Sequence, residues 1–281
     1  MISGGYCVLN PSYTGLVICC PRASGHCYAT KTPSASFQIE VSSTNFPAYS
    51  CRAMLDSGMK LDSLEESTEN VFINKTLIVC MEYVSSQHHS CKDSPFSISI
   101  QLKLAECFYG SRDSDTKTGL GSSAVVTVLL ISSLFGCFDI PLDNSVIFAL
   151  AYRAHCIAQG KVGSGFDISA CIYGSQLFQR NPHCNDVLEE KWLDSFEKKV
   201  CNINPIVHPF FLESHYALGL IVIGSGTKTV SFVRQVNEWV GTNPEVSKEL
   251  FKEIDACTRN FYRYFSNNNK DLIKKMAKVS F

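Results

Sequence analysis

Between Lys117 and Ala124 the chain reads Lys-Thr-Gly-Leu-Gly-Ser-Ser-Ala, and it then opens into the apolar run Val125 to Ile131. These residue types share one chemistry, the holding of an anion. A helix start exposes backbone N–H groups and a partial positive charge. Gly119 and Gly121 let a phosphate come close to the backbone. The Ser122 and Ser123 hydroxyls add donors, or a ligand for the magnesium that accompanies a phosphate, and Lys117 adds a mobile positive charge. The motif has rivals. It is formally G-x-G-x-x-A, a variant of the dinucleotide fingerprint, but that fingerprint needs a strand running straight into its first glycine. Here the polar loop Gly110 to Thr116 intervenes. A Walker A loop needs Gly-Lys-Ser/Thr after four spacer residues, and Gly224-Ser225-Gly226-Thr227-Lys228-Thr229 is only a near miss. A buried helix with a glycine-serine start and no ligand remains the plainest alternative.

A second constellation lies in Ala154 to Asp167, Ala-His-Cys-Ile-Ala-Gln-Gly-Lys-Val-Gly-Ser-Gly-Phe-Asp. It presents Lys161, Ser164 and Asp167 at a loop-to-helix junction. Taken singly, Asp167 reads as a helix N-cap and Lys161 as a solvated loop residue. Beside the first motif they read as an acceptor site for a donor site. Gly5 and Tyr6 are candidates for shaping the acceptor pocket, Ser85 to Gln87 for a polar contact, and Arg22 and Lys31 for neutralising charge. His155 reads equally well as a helix-face histidine with a local hydrogen bond.

The elements that must carry these residues divide along the chain. The first half reads as strand-rich: Tyr6 to Leu9, Tyr13 to Ile18, Phe37 to Val41, Leu77 to Tyr83 and Phe96 to Phe108. In the last, Ile98, Ile100, Leu102 and Leu104 alternate with Ser99, Gln101 and Lys103, so they share one face. The middle turns helical. Ser123 to Phe135 is apolar on all sides, as in a core helix. Asn144 to Gln159 is a helix closed by Gly160, and Phe166 to Tyr173 is a short one before a strand at Ser175 to Gln179. Beyond a candidate boundary at Asn181 to Asp186, Tyr216 to Ile223 reads as a strand, and Thr229 to Val240, Pro244 to Phe265 and Lys270 to Val279 as helices.

Composition narrows the class. The 281 residues are 45% hydrophobic and 18% charged, enough for a substantial core, with a formal net charge of -1. Neither a disordered chain nor a general nucleic-acid binder fits that balance. The 14 cysteines form no CxxC pair or zinc-spaced cluster, so the expectation is buried, reduced thiols in a cytoplasmic protein without a signal peptide. The uncharged stretch after Lys117 is broken by glycines and serines and has too short an apolar core to span a bilayer.

Together, Lys117 to Ala124, Ala154-His155, Ala158 to Lys161, Gly163 to Asp167 and Tyr173-Gly174-Ser175 resemble the motifs of the GHMP kinase superfamily, and within it the fungal-type phosphomevalonate kinase family. Ser3-Gly4-Gly5-Tyr6 with Val8-Leu9 is similar to that family's substrate-side segment. Val233 to Trp239 also fits. The resemblance implies an α+β GHMP fold, with a ribosomal-protein-S5-like ATP-binding domain at residues 1–182 and an incomplete ferredoxin-like domain at 183–281. It implies transfer of the ATP γ-phosphoryl group to 5-phosphomevalonate, giving 5-diphosphomevalonate for isoprenoid synthesis, with ATP and Mg2+ as cofactors. Lys117 and Asp167 would be the catalytic residues. Lys117, Thr118, Gly119, Leu120, Gly121, Ser122, Ser123 and Ala124 would wrap ATP, Ser123 would be the magnesium ligand, and Gly5, Tyr6, Lys161 and Ser164 would meet the acceptor. The family's upstream Pro-Gly-Lys segment and its late glycine-rich loop have no counterpart here. The expectation is therefore a chain cut at both ends, which puts its activity as it stands in question. A mevalonate-kinase-like enzyme and a non-catalytic nucleotide-binding relative stay open.

Overall fold

The computed structural model describes residues 1–43, 49–67, 70–87, 94–108, 118–189, 192–212 and 229–266. They form two compact units that alternate along the chain. One comprises Met1–Cys19, Gly163–Cys184 and Asn204–Phe281, the other Cys20–Val162 and Asn185–Ile203.

The second of these units is built on a five-stranded sheet. Its strands are β2 (Gly25–Pro33), β3 (Gln38–Ser43), β4 (Tyr49–Leu55), β5 (Leu61–Glu66) and β6 (Phe96–Leu104), in the order β2-β6-β3-β4-β5. All neighbours are antiparallel except β3 and β6. On β6 the expected alternation holds: Phe96, Ile98, Ile100, Leu102 and Leu104 are buried. Against this sheet lie α1 (Val71–Gln87), at β5, and α2 (Ser122–Cys137), at β2 and β6, while α3 (Asn144–Gln159) packs on both helices, which also pack on each other. Gly25 marks the closest approach of α2. A Cβ there would lie 2.7 Å from Leu129 Cδ1 and 2.9 Å from Val125 Cγ1, so the absence of a side chain on β2 sets how near α2 sits.

The stretch Leu77 to Tyr83, expected as a strand, lies inside the helix α1. A β-branched apolar run buried on several sides reads as either element. What decides it is the cap: the Ile73 N–H donates to Asn70 Oδ1 at 3.3 Å. Ile73, Leu77, Cys80, Met81 and Val84 are then buried at helical spacing. Helix α3 has both its ends signalled in sequence. Asp143 Oδ1 accepts from the N–H groups of Ser145 (2.7 Å) and Val146 (3.3 Å). Gly160 closes the other end at φ 65°.

The other unit holds a three-stranded antiparallel sheet in the order β1-β7-β8, from β1 (Thr14–Val17), β7 (Gln176–Gln179) and β8 (Ile206–Pro209). With it go α4 (Phe166–Tyr173), α6 (Thr229–Thr242) and α7 (Pro244–Ser266), the last packed on β1; α5 (Phe196–Ile203) belongs to the five-stranded unit. Tyr6 to Leu9, expected as a strand, forms a single 3-10 turn at Cys7–Leu9. Between the glycine pair and Pro11 the backbone bonds close locally, Val8 N–H to Gly4 C=O and Asn10 N–H to Cys7 C=O, which curls the segment rather than extending it. The expected strand at Tyr216 to Ile223 and the helix at Lys270 to Val279 lie outside the described residues. Among the described residues no helix is long and apolar enough to cross a membrane. The described cysteines are free thiols, with Cys7, Cys51, Cys80, Cys156 and Cys184 buried and Cys107, Cys171 and Cys257 exposed.

Candidate active site

Helix α2 begins as an anion cradle requires. Its N-cap is Gly121, left-handed at φ 79°, which brings no side-chain cap of its own. The Ala124 and Val125 N–H groups turn back to the Gly121 carbonyl at 3.1 and 3.3 Å. Gly119 is also left-handed, at φ 76°, is exposed, and has open space where a Cβ would stand. Two left-handed glycines in three residues raise the backbone into a concave turn ahead of a helix dipole, which favours phosphate. Thr118 ties this turn to the 3-10 turn Glu106–Phe108 that follows β6: its N–H donates to Phe108 C=O at 3.1 Å and its hydroxyl to Cys107 C=O at 2.8 Å. Lys117 itself lies outside the described residues. Leu120, Ser122 and Ser123 are half-buried and Ala124 is buried.

Ser123 is joined to α3. Its Oγ lies 3.1 Å from His155 Nε2, and Gln159 Nε2 lies 3.2 Å from His155 Nδ1. His155 is 5% exposed and its ring packs on Phe72 with centroids 5.0 Å apart. Sequence reading placed His155 near the site but gave it no partner. The helical period puts Gln159 one turn beyond it, a signal for half of this arrangement; the contact with Ser123 depends on how α2 and α3 pack. At the end of α3, the Gly160 N–H donates to Ile157 C=O and the Lys161 N–H to Cys156 C=O, both at 3.1 Å. This closing pattern fixes the half-buried Lys161 where it leaves the helix.

Ser164 and Asp167 fall in the other unit. Helix α4 starts at Gly165, left-handed at φ 77° and again without a side-chain cap. Asp167 stands in its first turn, where the dipole favours a carboxylate, and its Oδ1 accepts from the Ile168 N–H at 3.0 Å. Its negative charge also acts on the Met1 ammonium, whose pKa is nevertheless lowered because burial outweighs that pull.

In the same unit, Gly4 sits at φ 81°, and a Cβ there would meet the Thr14 carbonyl oxygen at 2.3 Å. Only glycine fits, and this close backbone contact with β1 sets the turn that presents Gly5 and Tyr6, both exposed. Helix α7 holds the segment from behind. Asp255 Oδ1 accepts from both the N–H and the hydroxyl of Thr14, each at 2.6 Å, and Ser3 Oγ lies 2.7 Å from Thr258 Oγ1. Sequence reading missed Asp255, since nothing local links it to a residue 241 positions away. Lys31, a candidate for neutralising acceptor charge, lies over the Phe96 ring at 4.3 Å, a packing role.

A family model described as the GHMP kinases N terminal domain matches residues 76–175. The phosphomevalonate kinase ERG8 of Gibberella zeae is 27% identical over 303 residues, covering 91% of this chain and 68% of its own. The phosphomevalonate kinase of Candida albicans is 25% identical over 294 residues, covering 93% and 67%. The chain thus spans about two thirds of the length of these curated relatives. Among solved structures, Streptococcus pneumoniae phosphomevalonate kinase in complex with phosphomevalonate and AMPPNP aligns with a TM-score of 0.63 at 16% identity, covering 98% of this chain and 74% of that one. That likeness shows the fold, mixed helix and sheet as expected.

Proposed function

We propose that this chain, a member of the GHMP kinase superfamily, is a phosphomevalonate kinase that transfers the γ-phosphoryl group of ATP to (R)-5-phosphomevalonate. One observation carries the nucleotide side of this reading: α2 starts behind two left-handed glycines, Gly119 and Gly121, and its glycine N-cap brings no side chain to the first turn, a form that favours phosphate. The acceptor rests on the relatives, which bear that name over nine tenths of this chain.

In the reaction an oxygen of the acceptor phosphate bonds to the γ-phosphorus as the bond to the β,γ-bridging oxygen breaks, and ADP leaves with that electron pair. The acceptor has a second pKa of about 6, so at neutral pH it is largely ionised and needs little help from a base. The harder task is to bring two polyanions together, which makes charge neutralisation and alignment the main sources of rate. Lys117 and Lys161 neutralise charge in this reading. Thr118 to Ala124 seat the ATP phosphates, Gly5, Tyr6 and Ser164 meet the acceptor, and Asp167 orients a lysine rather than removing a proton. The Ser123 hydroxyl is a hard oxygen ligand suited to Mg2+, which takes few protein oxygens beside phosphates and water; the nitrogen of His155 is a poor one. When bound, magnesium spreads the charge of the β- and γ-phosphates. In this reading residues 1–182 supply the ATP-binding domain and 183–281 part of a second, a division that cuts across the two compact units, since Met1–Cys19 and Gly163–Cys184 group with the chain from Asn204 onward; the chain works in the cytoplasm.

The test is a coupled ADP-release assay with ATP, magnesium and either phosphomevalonate or mevalonate. Turnover of phosphomevalonate alone is expected. Turnover of mevalonate but not phosphomevalonate overturns the substrate assignment, and nucleotide binding without turnover of either favours a non-catalytic relative.

A further inference from the structure

We infer that His155, backed by Gln159, is a positioning residue that fixes the Ser123 hydroxyl for its work on the nucleotide's metal and phosphate; this rests on the kinase reading above. Helix α2 carries four serines. Ser132 and Ser133 each donate to the carbonyl four residues back on their own helix, Val128 and Leu129, both at 2.8 Å. That is the ordinary fate of a helical serine. Ser123 is in the first turn, where the residue four back is Gly119, outside the helix, and its Oγ is instead drawn to His155 on α3 at 3.1 Å.

The direction of this bond follows from its neighbour. An amide nitrogen only donates; Gln159 Nε2 lies 3.2 Å from His155 Nδ1 and 3.5 Å from its Nε2, and with Nε2 already facing Ser123 the nearer nitrogen, Nδ1, is taken as the acceptor. A ring whose Nδ1 accepts carries its proton on Nε2, and Nε2–H therefore donates to Ser123 Oγ. The serine oxygen, already accepting one bond, keeps its own proton to give to a phosphate oxygen and a remaining lone pair for a hard cation. The chain Gln159 to His155 to Ser123 thus selects one hydroxyl orientation before nucleotide arrives. Burial of His155 and its packing on Phe72 hold the ring in place. Partners of this kind, standing behind a ligand, change metal affinity or activity by about 10–100-fold when removed.

The experiment uses the full chain, with Mg-ATP and metal-free ATP as the probes. In wild type, 15N-edited spectra of the imidazoles, with the His155 signal identified by its loss in His155→Gln, should show the proton on Nε2. A proton on Nδ1 overturns the inference. By calorimetry, His155→Asn, which retains a polar group only at the Nδ1 position, should weaken Mg-ATP binding by about 10–100-fold and metal-free ATP, which loses only the phosphate bond, by less. His155→Gln, whose amide nitrogen falls near the Nε2 position, should recover binding to within about threefold. In a Ser123→Ala background, His155→Asn should add nothing further. Equal losses in the Asn and Gln variants, or an undiminished loss in that background, mark His155 as merely structural and overturn the inference. If wild type binds Mg-ATP and His155→Asn binds it equally well, the inference alone fails. If wild type binds no Mg-ATP, the kinase reading fails first and takes the inference with it.

Discussion

Removing the Asp255 carboxylate should loosen the N-terminal segment that presents Gly5 and Tyr6. Thr14 is 1% exposed, and its N–H and hydroxyl both donate to Asp255 Oδ1 at 2.6 Å. In Asp255→Ala both donors stay buried without a partner, at about 1–3 kcal/mol each. Losing the partly exposed Arg259 pair (2.7 Å) adds about 0.5 kcal/mol. The lower end of this sum, about 2.5–3 kcal/mol, already corresponds to roughly a 100-fold rise in the open population of this segment. Asp255→Asn keeps an acceptor without the charge, and neutral bonds are about half as strong, so its effect should be roughly tenfold. Hydrogen exchange of the amides from Ser3 to Val17 reads this directly. Cys7 gives a second readout: burial, and then the charge of Asp255, push its thiol pKa up to about 11, so alkylation at pH 8 should be slow in wild type and faster in Asp255→Ala. Burial acts to raise the Asp255 pKa, but the Thr14 bonds and Arg259 outweigh it and hold it below the ordinary value. A depressed folded pKa means the stabilisation is complete above the unfolded value of about 3.9 and is lost as pH falls through the folded one. Less than a threefold change in exchange for Asp255→Ala, or equal effects of Ala and Asn, refutes the reasoning.

Other outcomes follow from the same geometry. Gly119→Ala meets no neighbour and costs only the left-handed strain of about 1–2 kcal/mol, yet its methyl group would stand in the phosphate path. Calorimetry should show at least a tenfold loss of Mg-ATP affinity with folding retained, and unchanged affinity removes the cradle. Asp167→Asn should lose less activity than Lys117→Ala in the ADP-release assay; a total loss in the Asn variant restores Asp167 as a base. Arg153, buried over Trp192 with its guanidinium 5.1 Å from the ring, donates to the carbonyls of Val187 and Glu189. Arg153→Met should cost about 3 kcal/mol, seen as a lower urea midpoint by Trp192 fluorescence in a Trp239→Phe background.

Local signals were legible and long-range ones were not. Strand β6 announced itself because one face is buried and the other polar, and α3 because Asp143 and Gly160 mark its ends. Strands β2, β4 and β5 were missed. On β4 the buried positions include Tyr49, Cys51 and Ala53, a pattern that hydropathy weighs weakly, while β2 is mostly exposed along its length. Helix α1 was mistaken for a strand because its middle is buried all round and its deciding cap, Asn70, precedes the apolar run. At the site, the glycines were readable, since left-handed turns select them. The contact of Ser123 with His155 spans 32 positions, and that of Thr14 with Asp255 spans 241. Such contacts arise from how helices pack and leave no periodic trace.

The interleaving of the two units also sets an order of assembly. The unit around the five-stranded sheet draws most of its residues from one continuous stretch, Cys20–Val162, whereas the other gathers Met1–Cys19, Gly163–Cys184 and the chain from Asn204 onward. On the ribosome, β1 emerges well before β7, which it pairs with, and α7, which covers it. Closing loops of this length carries an entropy cost before any contact repays it. A strand made early is thus among the last elements of its unit to become native. Until then this fully buried strand is an unpaired apolar segment, the kind of surface that chaperones hold.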